Sequence, residues 1–312
     1  MANEVKKNEK TIHIALAFDQ NFLTPFYVLL TSVFENNKQS NFYIHAIATG
    51  IDGDEKKRII TYVEGNNSKI LFYELQKKHL ETVVMPVTDP RYTLANFYRL
   101  FFPILISNAV SKVIYLDTDI VVIGDLAKLY DINVGSVPFA AVLDPGKEIR
   151  HDLGINEPDK YFNSGVLLMN LDKWREQKIS EKALQFVSKY PEKCIYVDQC
   201  ALNAVSIDNW MRLDTRFNVM GQYVPVIKKK YYKDFLKGKV IIHFNIRKPW
   251  DRLCQMRLKY LYYYYYHKSP QASRGRLYTN FNYSIKNIGR LIRNKLVTFY
   301  YDHFSVSNAL TK

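Results

Sequence analysis

Apolar residues fall in short runs separated by polar turns. Thr11–Phe18 (TIHIALAF) and Phe42–Thr49 (FYIHAIAT) have strand length and strand composition. Between them come a polar turn (Asp19, Gln20, Asn21) and a helical pattern from Pro25 to Phe34. Proline suits a first helical turn because its missing N–H is not needed there. Asp52–Glu64 reads as a charged surface helix, Ser68–Glu74 as a third strand and Leu94–Phe101 as part of another helix. Strand-like runs continue at Lys112–Ile123, Ser136–Asp144, Gly165–Leu171 and Val240–Phe244. This alternation predicts an α/β fold with a mainly parallel sheet and helices on both faces. Ligands collect beyond the carboxyl ends of such strands, where Asp19, Asp117 and Asp144 end or interrupt runs.

Composition is that of a globular protein, with 312 residues, 47% of them hydrophobic, so collagen-like and wholly disordered readings are excluded. Charge changes the picture more. The net formal charge is +14, yet Ile227–Lys312 alone holds 19 Lys+Arg against three acids, and the preceding residues sum to −2. A basic block answers a polyanion, either nucleic acid or an anionic membrane, or else only solubilises the chain. Cys194, Cys200 and Cys254 form no C-x-x-C pair, which points to reduced thiols. MANEVKKNEK lacks the apolar core of a signal peptide, and no run is long enough to span a bilayer. The expectation is a cytoplasmic protein with a disordered stretch at residues 1–10.

Neither G-x-G-x-x-G nor a P-loop occurs, and H-E-x-x-H and G-x-S-x-G are also missing. The informative segment is Tyr115-Leu116-Asp117-Thr118-Asp119. In an extended backbone, carboxylates at i and i+2 point to the same side. Such a pair resists double ionisation unless a cation joins it, and hard oxygen ligands suit Mg²⁺ or Mn²⁺. The alternative is a solvated strand-end turn. His243, in VIIHF, is either a satisfied core histidine or a third ligand that shifts preference towards Mn²⁺. Lys248, in a stiff K-P-W turn, suits phosphate oxygens.

Several ordered segments carry a resemblance: IALAFDQNF, NFYRLFFP, VIYLDTDIVVIGDLAKLY, AAVLD, YFNSGVLLMNLDKW, DQCALN, RFN and HFNIRKPW. From about Ile14 to Trp250 the chain resembles the family 8 glycosyltransferases, retaining UDP-sugar enzymes that include glycogenins and bacterial lipopolysaccharide α-galactosyltransferases and α-glucosyltransferases. The resemblance implies a GT-A type, Rossmann-like fold at residues 11–250. It also implies transfer of glucose or galactose from a UDP-sugar to a glycan, glycolipid or glycoprotein, with Mn²⁺, or Mg²⁺, as cofactor. Asp19 and Asn21 match positions that hold the uridine nucleotide, and Arg99 matches an arginine near the diphosphate. Asp117, Thr118 and Asp119 match the metal-binding D-x-D, with His243 as third ligand. Asp144 and Asn163 match residues on the donor sugar, Asp198 and Gln199 the pair below the anomeric carbon, and Lys248 the diphosphate lysine. HFNIRKPW departs from the family in lacking a glycine and being one residue shorter between histidine and lysine.

Beyond Trp250, residues 251–312 form a basic, tyrosine-rich helical tail, with five consecutive tyrosines at Tyr262–Tyr266. In Tyr283–Tyr301 a helical period sets Ile285, Ile288, Leu291, Ile292, Leu296 and Phe299 on one side and Lys286, Arg290 and Arg293 opposite. Lys295 falls within the apolar arc. That pattern suits peripheral attachment to the inner face of an anionic membrane, or packing of the same stripe on the catalytic domain. Rival readings are an inactive family member and a nucleic-acid-binding protein, in which the D-x-D would have no purpose.

Overall fold

The computed structural model describes residues 11–76, 94–145, 148–274, 277 and 283–303. The expected disordered stretch at 1–10 lies outside them. The chain divides into two compact units. The first takes residues up to Leu23, Asn37–Thr118 and Leu126–Thr215, and the second takes Thr24–Asn36, Asp119–Asp125 and Arg216–Lys312.

The first unit is built on a sheet ordered β3-β2-β1-β4-β7-β6-β8. Its strands are β1 (Thr11–Asp19), β2 (Asn41–Thr49), β3 (Lys69–Tyr73), β4 (Lys112–Leu116), β6 (Phe139–Leu143), β7 (Phe162–Asn170) and β8 (Met211–Leu213). Pairing is parallel except at β7, which runs against both β4 and β6. Ile12, Ile14 and Leu16 are buried, and so are their alternates Ala15 and Ala17, so β1 is covered on both faces. A strand covered on both faces carries a near-continuous apolar run, which is why TIHIALAF does not alternate. One core layer joins Val113, Tyr115, Phe139, Leu167 and Met169 to Phe97, Trp174, Ala183 and Leu202. The charged helix α2 (Gly53–Glu64) starts where Asp52 accepts a 2.7 Å bond from Glu55 N–H and has Asp54 and Glu55 in its first turn. Leu94–Leu100 is a 3-10 segment rather than an α-helix.

The run Lys112–Ile123 is two strands, not one. β4 stops at Leu116 and β5 (Ile120–Val122) belongs to a separate three-stranded sheet, β5-β10-β9, with β9 (Val219–Met220) and β10 (Ile241–His243). An isolated carboxylate pair is ill suited to an uninterrupted buried ladder, and the break falls on the D-x-D itself.

The second unit gathers Val28, Val121, Ile242, Phe244 and Leu258 with Tyr262, Tyr265 and Tyr266 in one apolar cluster. Val28 comes from helix α1 (Leu23–Asn36) and the tyrosines from the helix Lys259–Lys268. Their spacing of three and four places three of the five consecutive tyrosines on one face. Asn36 Nδ2 joins the pieces, donating to Val122 O at 3.0 Å and to Tyr265 Oη at 2.7 Å. All three cysteines are free and buried. No helix among the described residues is long and apolar enough to cross a membrane.

Candidate active site

Asp19 and Asp117 leave the carboxyl ends of adjacent parallel strands, β1 and β4. Asp19 accepts a 2.9 Å bond from Asn21 N–H, closing the polar turn. Asp117 N–H donates to Gly165 O at 2.8 Å, which pins the start of the D-x-D to β7.

Arg99 is the hub of the first unit's site. Its side chain is buried, with Nη2 3.0 Å from Asp117 Oδ1 and Nε 2.7 Å from Asp198 Oδ2. The Nε–H is aimed instead at Asn96 O, 3.4 Å away, so Asp198 is paired by charge rather than by an aligned hydrogen bond. Nη1 donates to Ser164 Oγ at 3.0 Å and to Ser164 O. The guanidinium also lies 4.6 Å from the centre of the Tyr115 ring, a cation–π contact. Tyr115 Oη donates to Asp117 Oδ1 at 2.9 Å. Burial pushes Asp198 up to about 7; Arg99 opposes that rise and Asp117 adds to it.

Gln199 follows Asp198 at the start of helix α3 (Asp198–Val205). Its Oε1 accepts from Asn163 Nδ2 and from Ser164 N–H, both at 3.1 Å. Asn163 and Ser164 can reach it because β7 bulges: Ala141 pairs with Leu167, but Val142 pairs with Asn163. Bulges re-aim side chains in this way. Val197, just before the pair, has φ +52°, a strained conformation for a β-branched residue. Asp144 is buried at the end of β6, its N–H donating to Tyr161 O at 2.9 Å.

Asp119 is nearly enclosed. His243 Nε2 lies 3.2 Å from its Oδ1, and the Lys248 ammonium sits on Oδ2. Burial opposes ionisation of Asp119, but Lys248 and then His243 outweigh it and hold the carboxyl far below the usual range. His243 Nδ1 donates to Asn218 Oδ1 at 3.0 Å. That bond turns Nε2 towards the Asp119 carboxylate, where the two can share a proton or a cation. Within the second unit Asp119 and His243 thus present a carboxylate and an imidazole to each other, and Asp117 precedes Asp119 by two residues in the chain. The second ring nitrogen is already oriented, as metal-binding histidines require. The donor set therefore fits a divalent cation. Thr118, between the two acids, is buried.

Three partners escaped sequence reasoning: Tyr115, Ser164 and Asn218. Tyr115 stands two residues before Asp117, so strand alternation could have found it. Ser164 and Asn218 lie inside quoted motifs, but their targets are 65 and 25 residues away.

A mainly parallel sheet with a D-x-D leaving one of its central strands is a fold of the GT-A type. The model of glycosyl transferase family 8 matches residues 13–254, and the chain belongs to that family. General stress protein A of Bacillus subtilis (strain 168) is 29% identical over 258 residues, covering 78% of this chain and 89% of that one. Lipopolysaccharide 1,2-glucosyltransferase of Escherichia coli (strain K12) is 27% identical over 251 residues, 77% of this chain and 73% of that one. The structure of the galactosyltransferase LgtC with donor and acceptor sugar analogs matches with a TM-score of 0.71 at 22% identity. That match covers 90% of this chain and 100% of LgtC, a likeness of fold.

Proposed function

We propose that the protein transfers glucose or galactose from a UDP-sugar to a glycan, glycolipid or glycoprotein acceptor, with retention of configuration. The D-x-D, with His243 facing Asp119 at 3.2 Å, carries this reading. Mn²⁺, or Mg²⁺, bound there supplies positive charge against the diphosphate as UDP leaves. Lys248 holds the diphosphate, and Arg99 fixes Asp117 while facing the donor side of the site. Asp19 and Asn21 take the nucleotide, and Asp144 and Asn163 the sugar.

A double displacement needs a free carboxylate beneath the anomeric carbon. Asp198 is buried against Arg99 and pushed up to about 7, which makes it a poor nucleophile. Attack by the acceptor on the face that UDP leaves fits these residues better. Gln199, fixed by Asn163 and Ser164, then steadies the oxocarbenium-like centre. The lipopolysaccharide glucosyltransferase among the relatives supports a glycan acceptor. Residues 11–250 form the catalytic part in this reading, in keeping with a family match that ends at residue 254. The basic segment 251–312 attaches it peripherally to an anionic membrane.

UDP release measured across UDP-glucose, UDP-galactose and their N-acetyl forms, with Mn²⁺, tests the proposal. Asp117→Asn with Asp119→Asn abolishes release; full activity in that variant overturns the metal assignment. The Lys248 ammonium on Asp119 favours one second reading, an inactive family member whose lysine replaces the cation. No UDP release from any donor in the wild type would mark it.

A further inference from the structure

The helix Ile285–His303 docks on its own unit by an unusual edge. Asn294 Nδ2 donates to Leu253 O at 3.3 Å, and Gln255 Nε2 donates to Asn294 Oδ1. Arg257 donates to Thr298 O at 3.4 Å and pairs with Asp302. Asn294, Thr298 and Asp302 are successive positions on one helical face, so a polar edge faces inward. The apolar arc is left outside: Ile285, Ile292, Leu296 and Phe299 are 91%, 56%, 64% and 55% exposed. Water-soluble helices orient the other way.

Beside the inward edge lies a small cavity of about 190 Å³ lined by Arg247, Arg290 and Arg293 with Leu253, Gln255 and Asn294. None of the three guanidiniums has a carboxylate partner among the described residues. Three unneutralised guanidinium forks with two side-chain amides are the donor set of a phosphate site. The volume falls below that of sites for drug-sized ligands and suits a headgroup rather than a nucleotide sugar. A larger cavity of about 740 Å³ meets the same helix at Asp302 and carries Lys229, Lys230 and Lys233, so positive charge continues along the helix.

We propose that Arg247, Arg290 and Arg293 bind the phosphate of an anionic phospholipid headgroup, with the outward apolar arc of Ile285–His303 seated in the bilayer interface beside it. This rests on the membrane attachment proposed above and gives it a site. A basic arc next to an apolar one, both free, is the pattern of an interfacial helix.

Sedimentation of the full chain with phosphatidylcholine vesicles, with and without phosphatidylglycerol, tests this. The wild type binds only the phosphatidylglycerol vesicles. Arg290→Gln with Arg293→Gln lowers partitioning well beyond the roughly 30-fold that two basic residues near a charged surface contribute together. Lys286→Gln with Lys295→Gln removes equal charge from the same helix outside the cavity and lowers it by roughly 30-fold or less. Equal losses in the two double variants overturn the site in favour of diffuse surface charge. Inorganic phosphate raising the Tm of the wild type through these arginines, with no vesicle binding, overturns the lipid as ligand. Far-UV circular dichroism checks that each variant folds. UDP release from a soluble donor is read separately: its absence in the wild type counts against the transferase reading and leaves the vesicle result standing.

Discussion

The Arg99 guanidinium holds two carboxylates at once, and the nearer, Asp198 at 2.7 Å, is also the more deeply buried, its side chain 4% exposed against 26% for Asp117. Removing one partner of a buried ion pair leaves an uncompensated charge and costs about 3–5 kcal/mol. Asp198, already raised by burial to about 7 with Arg99 opposing the rise, takes up a proton at neutral pH once Arg99 is gone, so Arg99→Met is expected to lose less than that, about 1–3 kcal/mol in urea unfolding. A loss of about 5 kcal/mol would show that Asp198 stays charged when Arg99 is absent.

Two buried groups give stability a pH profile, measured as Tm without divalent metal. Asp198 stands at about 7 against an ordinary 3.8, so the folded protein keeps a proton that the unfolded chain releases. Its contribution falls as pH rises from about 4 to 7 and then levels. His45 works the other way: burial, then the neighbouring His13, lowers it from 6.5 to about 3. Stability is lost as pH falls from 6.5 through about 3. The two slopes offset each other between about 4 and 6.5 in the wild type. Asp198→Asn should uncover a steady rise in Tm with pH across that window.

Asn218 does not touch the proposed cation, yet it sets which nitrogen of His243 is available. Asn218→Ala should weaken Mn²⁺ binding about 10- to 100-fold, the usual effect of losing such a partner. Isothermal titration reads it directly. Unchanged affinity would mean that His243 is oriented by its strand alone.

Lys248 neutralises Asp119 in the absence of metal. Lys248→Met should therefore lower Tm in chelator, and added Mn²⁺ should restore more of that Tm than it adds to the wild type. Turnover should stay low even at saturating Mn²⁺ if Lys248 holds the diphosphate as proposed. Wild-type turnover in this variant would remove Lys248 from the site.

Much of the fold was legible because buried parallel strands and amphipathic helices write local periods into the chain. TIHIALAF, FYIHAIAT and Asp52–Glu64 lie within about two residues of β1, β2 and α2. The D-x-D and His243 were legible as residue types suited to a cation. Their separation into two sheets was not, because Lys112–Ile123 reads as one apolar run until the flanking strands claim its halves. The tyrosine run shows the same limit. Composition allowed a membrane surface, and the spacing of Tyr262, Tyr265 and Tyr266 put them in the second unit's core.

Sequence alone determined the alternation of strands and helices and the family, since both depend on residue type and local spacing. Only tertiary structure decided that Arg99 pairs with Asp198, that a bulge turns Asn163 and Ser164 towards Gln199, and that Ile285–His303 docks by its polar edge. Those contacts join residues from about 35 to 99 positions apart, and no local period records a partner so distant.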